Sequence, residues 1–280
     1  MQLAFSTNAF TRFSLSQALA AIKECGYSGV EILADAPHAY PDQLDEKRIA
    51  AIADEVQRLG LRVSNINANC TFGYWTDAPP EPFFEPSLIS PNPKYRQDRT
   101  RMIFKAMDLA AATGARCLSI TSGRLLGGMP PQAAQRQFEQ SMLPILQRAE
   151  SLNINVGIEY EPGLYIESAQ ELAEWIDRLR SPRLGANLDV GHCQVIGESI
   201  PDTIDLLAGR IWNLHVEDIP GRKHYHLIPG QGTMDWAALK TALAKVNYQG
   251  FLTVELYTYS DEPHPAARQS IAFLQQHFAA

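Results

Sequence analysis

Eight short apolar runs recur along the chain, each followed by a segment with helical features, and this alternation limits the available folds more than any other property. The runs fall at 3–6, 29–33, 62–67, 117–121, 156–160, 184–189, 211–216 and 251–256. Several, such as Val156-Gly157-Ile158 and Phe251-Leu252-Thr253-Val254, are nearly continuous rather than alternating. Strands covered by helices on both faces read this way, which indicates a parallel sheet. Between the runs, Ser14 with Gln17 and Ser168 with Glu171 have capping-box spacing. Ile49, Ile52, Val56 and Leu59 form one stripe at helical period. Gly26, Gly60 and Gly114 follow helical runs, where a left-handed residue closes a helix at least cost. No Gly-rich dinucleotide turn follows the first run, which argues against a doubly wound open sheet. The expected fold is α/β, a single (β/α)8 barrel domain over residues 1–280.

A barrel of this kind needs a large core, and a chain that is 45% hydrophobic and 20% charged supplies one. Its net charge of -7 disfavours a nucleic-acid-binding surface. Cys25, Cys70, Cys117 and Cys193 contain no C-x-x-C pair and are expected to be reduced thiols of a cytoplasmic protein. No signal peptide is expected, because no basic region precedes a long apolar run at the start, and no membrane span, because no stretch approaches about 18 apolar residues. The stretch 69–95 carries six prolines together with Phe72, Tyr74, Trp75, Phe83 and Phe84. It is expected to form a lid over the barrel mouth, or else a loop packed on the outer edge or on a neighbouring subunit.

Functional residues of such barrels sit at the C-terminal ends of the strands. The last four runs each end in a side chain able to hold a metal: Glu159, Asp189, His215 and Glu255. Any one of these alone suits a strand cap or a salt bridge. Together in consecutive strands they would bury three carboxylates side by side, at a cost of many kcal/mol unless a cation compensates. Three oxygens and one imidazole suit Mn2+, Mg2+, Co2+ or Zn2+. His192, in Asp189-Val190-Gly191-His192, places a second imidazole just beyond. Glu31, ending the second run, suits either a substrate hydroxyl or a salt bridge, and Asn67 ends the third. Gly123-Arg124-Leu125-Leu126-Gly127-Gly128 suits an anionic group or a flexible surface loop. Trp236, after the N-cap candidate Asp235, reads as a core anchor.

At these residues the sequence resembles the xylose-isomerase-like TIM-barrel superfamily, the sugar and sugar-phosphate isomerases and epimerases related to endonuclease IV. The resemblance rests on Ile158-Glu159-Tyr160-Glu161-Pro162, Leu188-Asp189-Val190-Gly191-His192, His215-Val216-Glu217-Asp218, the stretch from Pro229 to Trp236, Val254-Glu255 and the early Gly29-Val30-Glu31-Ile32. It implies that Glu159 and Glu255 both ligate the metal and act as acid and base. The implied reaction is proton transfer alpha to a carbonyl of a sugar, sugar derivative or cyclitol, through an enediolate. Removal from one face and return to the other gives epimerisation, return to the neighbouring carbon gives isomerisation, and loss of a β-hydroxyl gives dehydration of the inosose type. An abasic-site endonuclease and a non-catalytic binding barrel are the other readings. Relatives pair as dimers or tetramers, so a homodimer or homotetramer is implied.

Two departures bear on this. Where several family epimerases carry a substrate-binding arginine, this chain has His226, with Arg222 and Lys223 out of register. The endonuclease IV branch has metal-binding residues matching His192, His224 and His226. It also uses histidines after the third and fourth strands, where Asn67, Asn69, Ser122 and Gly123 stand here. A trinuclear site is therefore incomplete. The expectation is one divalent ion, with His192, His224, His226, Glu31 and Asn67 contacting the substrate.

Overall fold

The protein is described here by a computed structural model that covers residues 1–75 and 84–278. Eight parallel strands, β1 (Gln2–Ser6), β2 (Gly29–Leu33), β3 (Arg62–Asn67), β4 (Cys117–Ile120), β5 (Asn155–Ile158), β6 (Leu184–Asp189), β7 (Ile211–Val216) and β8 (Phe251–Val254), close in chain order into a barrel. The seam is β1 against β8, with Phe5 opposite Val254. Among the described residues nine helices surround it: α1 (Leu15–Glu24), α2 (Glu46–Arg58), α3 (Pro93–Thr113), α4 (Pro131–Leu152), α5 (Ala169–Leu179), α6 (Val190–Ile196), α7 (Ile200–Leu206), α8 (Trp236–Lys245) and α9 (Pro263–Phe278). The (β/α)8 architecture read from the alternation is the one observed. None of these helices is long and apolar enough to cross a membrane.

Local chemistry explains the element ends. Ser14 and Gln17 form a reciprocal capping box on α1. Ser168 accepts from the Glu171 amide, but Glu171 Oε2 turns to the Glu167 amide instead of closing the box. Gly26, Gly60 and Gly114 all have positive φ where helices end. Ile52 and Val56 of α2 are buried against the barrel, flanked by the partly buried Ile49 and Leu59.

Inside the barrel, strand alternation builds layers of side chains. The residues two before each site position form a polar floor: Asn65, Asn187, Asn213 and Thr253, all buried. Asn213 Nδ2 donates to Asn187 Oδ1 at 2.7 Å, and Thr253 Oγ1 donates to Asn213 Oδ1 at 3.0 Å. Gly157 occupies the equivalent place on β5, where an added Cβ would meet the Asn187 backbone nitrogen at 2.7 Å. The β2–β3 and β6–β7 registers shift just before Glu31 and Asn187. Such irregularities re-aim the side chains that follow them.

The stretch 69–95 divides. Phe83 and the rest of 76–83 lie outside the described residues, so the lid expectation is not addressed there. The first part is pinned to the barrel: Asp35 accepts from the Phe72 and Gly73 amides at 2.6 and 2.8 Å. Tyr74, Trp75 and Tyr95 pack edge to face, and Trp75 Nε1 donates to the Glu85 carbonyl at 2.7 Å. Leu88 and Ile89 are fully buried. Arg124 and Leu125 of the β4 loop are exposed, and all four cysteines are unpaired.

Candidate metal centre

Glu159, Asp189, His215 and Glu255 leave the ends of β5 to β8 and converge, each offering one donor atom within 4.8 Å of the others. All four are buried. No Lys or Arg pairs with any of them among the described residues; their ion-pair partners there are histidines.

Four asparagines aim the two glutamates. Asn69 donates to Glu159 Oε2 at 2.8 Å, and Asn187 donates to the same oxygen. Asn8 and Asn67 donate to Glu255 Oε1 at 2.9 and 3.1 Å. Each carboxylate thus has one oxygen clamped by two amides, which fixes the direction of the other. Asn69 is itself set by Arg99, whose buried guanidinium donates to the Ala68 and Asn69 carbonyls. Asn67 also donates to Glu31 Oε1 at 3.1 Å, so the structure gives it the carboxylates as partners.

Glu31 lies behind the centre, fully buried, with Oε2 2.6 Å from His215 Nε2. This bond holds a proton on Nε2 and turns Nδ1 toward Glu159 Oε2 at 3.2 Å and Glu255 Oε1 at 3.7 Å, where its lone pair would serve a bound cation. A carboxylate–histidine pair of this kind is the usual support for a metal-binding imidazole.

The electrostatics express crowding. Burial pushes Glu255 well above the usual carboxylate range, and Glu159 and Glu31 add to it against the opposing pull of His215. Burial would also raise Asp189, but the charges of His192 and the other nearby histidines outweigh it and hold Asp189 low. His215 is raised, because Glu31, Glu255 and Glu159 overcome the cost of burying its charge. Asp189 Oδ1 accepts from the His192 amide at 3.0 Å, while its Oδ2, fully buried, meets no donor. An orphaned carboxylate oxygen among converging carboxylates fits a divalent cation, and the O3N donor set suits Mn2+, Mg2+, Co2+ or Zn2+.

Three imidazoles flank the centre. His192 Nδ1 lies 2.9 Å from the Tyr160 carbonyl and His226 Nδ1 lies 3.0 Å from the Glu255 carbonyl. His224 Nε2 is 3.2 Å from His226 Nε2. Burial pushes His226 down to about 4 and lowers His224. Tyr257 lies edge-on to His226, with ring centroids 4.7 Å apart.

Several residues were not among the sequence candidates. Asn187 and Glu217 carry a signal in retrospect: each is two residues from a candidate on the same strand or its end, and so shares its face. Asn8 had no such signal, since it reaches Glu255 only across the closed seam.

Comparison with known proteins identifies relatives over nearly the whole chain. Fructoselysine 3-epimerase of Escherichia coli O157:H7 is 25% identical over 276 residues, covering 97% of this chain and 96% of that protein. Putative hydroxypyruvate isomerase of Streptomyces coelicolor is 24% identical over 277 residues, covering 95% and 92%. Among solved structures, a D-tagatose 3-epimerase-like protein superposes with a TM-score of 0.82 at 18% identity, covering 99% of this chain and 97% of that one. The curated relatives include sugar epimerases and isomerases, and the model of the xylose isomerase-like TIM barrel family matches residues 19–277. This chain therefore belongs to the xylose isomerase-like TIM barrel family.

Proposed function

We propose that the chain is a divalent-metal-dependent epimerase or isomerase of a sugar, sugar derivative or cyclitol. The observation that carries this reading is the pairing of Glu159 and Glu255, each held by two amides, within one buried four-donor group. A divalent cation, when bound by Glu159, Asp189, His215 and Glu255, polarises a substrate carbonyl and so acidifies the adjacent C–H.

The protein's own residues then do the proton work. Glu159 and Glu255 come from β5 and β8, three strands apart around the barrel, so they address the substrate from different sides. One carboxylate takes the proton alpha to the carbonyl to give an enediolate, and the other, already protonated from solvent, donates its own proton to carbon. Return to the opposite face of the same carbon is epimerisation; return to the neighbouring carbon is isomerisation. His192 and His224 stand next to the centre to bind substrate hydroxyls, in the region where an arginine was expected and His226 stands instead. A fructosamine of the class named by the fructoselysine relative heads the substrate panel, followed by free ketoses, ketose phosphates and inososes.

The test is solvent deuterium exchange into that panel by the metal-loaded protein. Incorporation alpha to the carbonyl of at least one substrate is expected, with a loss of about 100-fold or more in Glu255→Gln. Exchange that persists undiminished in both Glu159→Gln and Glu255→Gln would overturn the assignment. Loss of water from an inosose without epimerisation would move the chain to the lyases.

A further inference from the structure

Two residues beyond Glu159 the chain carries another carboxylate, Glu161, which the four-donor group does not use. Tyr160, between them, is turned away into a buried contact, its hydroxyl 2.9 Å from Cys193 Sγ and donating to Glu198 Oε2 at 2.8 Å. By alternation Glu161 faces the same side as Glu159, about 6.5 Å further out along the chain. Pro162 restricts Glu161 to extended backbone. A tight loop then fixes it: its amide donates to the Ile166 carbonyl at 3.3 Å, and its carbonyl accepts from the Leu164 amide at 3.0 Å. The loop is moored in turn by the Tyr165 amide on the Gly123 carbonyl at 2.8 Å and the Ile166 amide on Ser122 Oγ at 3.0 Å.

The Glu161 carboxylate is partly buried, and among the described residues it has neither a hydrogen-bond donor nor a Lys or Arg partner. Its charged neighbours are His192, Glu159 and Asp189. His192 is committed elsewhere, with Nδ1 on the Tyr160 carbonyl and Nε2 3.6 Å from Asp189 Oδ2. Cys70 and Tyr257 also lie within reach of the Glu161 charge. The carboxylate therefore borders the space between the ends of β3, β5, β6 and β8. A fixed carboxylate without donors, open to a binding space, suits a ligand that brings both donors and positive charge.

The rest of the mouth has the same sign. The segments joining each strand to the next helix contain only four basic residues, Arg12, Arg124, Arg222 and Lys223, and more acidic ones. Arg12 pairs with Asp261, and Arg222 Nε donates to the Val195 carbonyl at 3.0 Å. Arg124 and Lys223 are exposed. Arg99, at the start of α3, is taken up by the Ala68 and Asn69 carbonyls. A phosphate entering this mouth meets a field of its own sign and no guanidinium placed to clamp it.

We propose that Glu161 reads an ammonium group on the substrate, so that the chain takes an amino-substituted keto sugar in preference to a neutral or phosphorylated one. This rests on the sugar epimerase or isomerase reading above and narrows it to one charge class. A hydrogen bond from an ammonium to a carboxylate is stronger than one between neutral groups, and a carboxylate already held in place loses little freedom in making it.

The experiment is titration calorimetry, in the presence of Mn2+, with three polyols that lack a carbonyl: glucitol, 1-amino-1-deoxyglucitol and glucitol 6-phosphate. The amine is expected to bind about 10-fold or more tightly than glucitol, and the phosphate more weakly than glucitol. In Glu161→Gln the preference for the amine is lost. Equal binding of the amine and glucitol overturns the proposal, as does failure of the amine to bind or tighter binding of the phosphate. A preference that persists in Glu161→Gln overturns the assignment to Glu161. The wild-type ranking stands by itself if the variant does not fold. These polyols have no proton alpha to a carbonyl, so absence of deuterium exchange into keto sugars would remove the isomerase reading and leave the ranking intact.

Discussion

The hydrogen bond from His215 to Glu31 places one proton, and much of the site depends on where it lies. With a proton held on Nε2, Nδ1 is turned toward Glu159 and Glu255, where it can serve a cation as donor. Glu31→Gln can retain the bond but loses the charge that favours this arrangement. It is expected to weaken Mn2+ binding at the proposed four-donor group by about 10–100-fold, measured by titration calorimetry. Unchanged affinity would remove Glu31 from the site's support. Away from the centre, His38 gives a pH signature. Its Nδ1 lies 3.2 Å from Thr7 Oγ1, and Nε2 lies 3.2 Å from the Phe10 and Phe13 carbonyls. Burial holds its pKa below the ordinary 6.5 despite those carbonyls. As pH falls, the unfolded chain takes up this proton first, so His38's contribution is full above about pH 6.5 and is lost as pH falls through the lower folded value. His38→Gln is expected to show a smaller loss of melting temperature between pH 7 and pH 5 than the wild type. An equal loss would mean that His38 does not couple to folding. At this scale the sequence was legible wherever a polar residue interrupted an apolar run, as at Glu159 and Glu255. Residues such as Asn8 were hidden, because only tertiary closure supplies their partner.

Between β7 and α8 the chain runs as a long excursion organised by one side chain. Asp218 Oδ1 accepts from the Ile219 and Met234 amides at 2.9 and 3.0 Å. Its Oδ2 accepts from the Gly230 amide at 2.8 Å and from Trp236 Nε1 at 3.1 Å. Four donors on one buried carboxylate tie the loop carrying His224 and His226 to the start of the next helix. Asn at 218 keeps one acceptor oxygen and presents a donor where an acceptor is needed. Asp218→Asn is therefore expected to destabilise the fold by about 2–4 kcal/mol in urea unfolding and to raise KM more than it lowers kcat. A change below about 0.5 kcal/mol would count against the hub. The Pro229–Trp236 stretch was legible as a motif, and Trp236 as an anchor. The residue that gathers them was not, because its four bonds span turns that no periodicity encodes. The helices were easier: caps and apolar stripes act within one or two turns, so α1 and α2 could be read locally. The 69–95 stretch shows the opposite limit, since Asp35 pins its first turn from another loop.

Across the whole barrel, the buried carboxylates oppose folding until positive charge joins them. A cation that binds only the folded chain adds stability, about 2.7 kcal/mol when present at 100 times its dissociation constant. Addition of Mn2+ to chelator-stripped protein is expected to raise the melting temperature, and chelator to reverse it. A midpoint indifferent to both would argue against any metal at the centre. The barrel itself was legible because eight two-sided strands leave few alternatives. Its seam has a further implication. Asn8 lies just after the first strand and Glu255 just after the eighth, and the bond between them crosses 247 residues of sequence. During translation the ribosome releases Glu159, Asp189 and His215 while the last donor is still unmade. Capture of a cation by the complete four-donor group would thereby be postponed until the final strand closes the barrel, so a nascent chain could not hold an ion in the finished site before it has its shape.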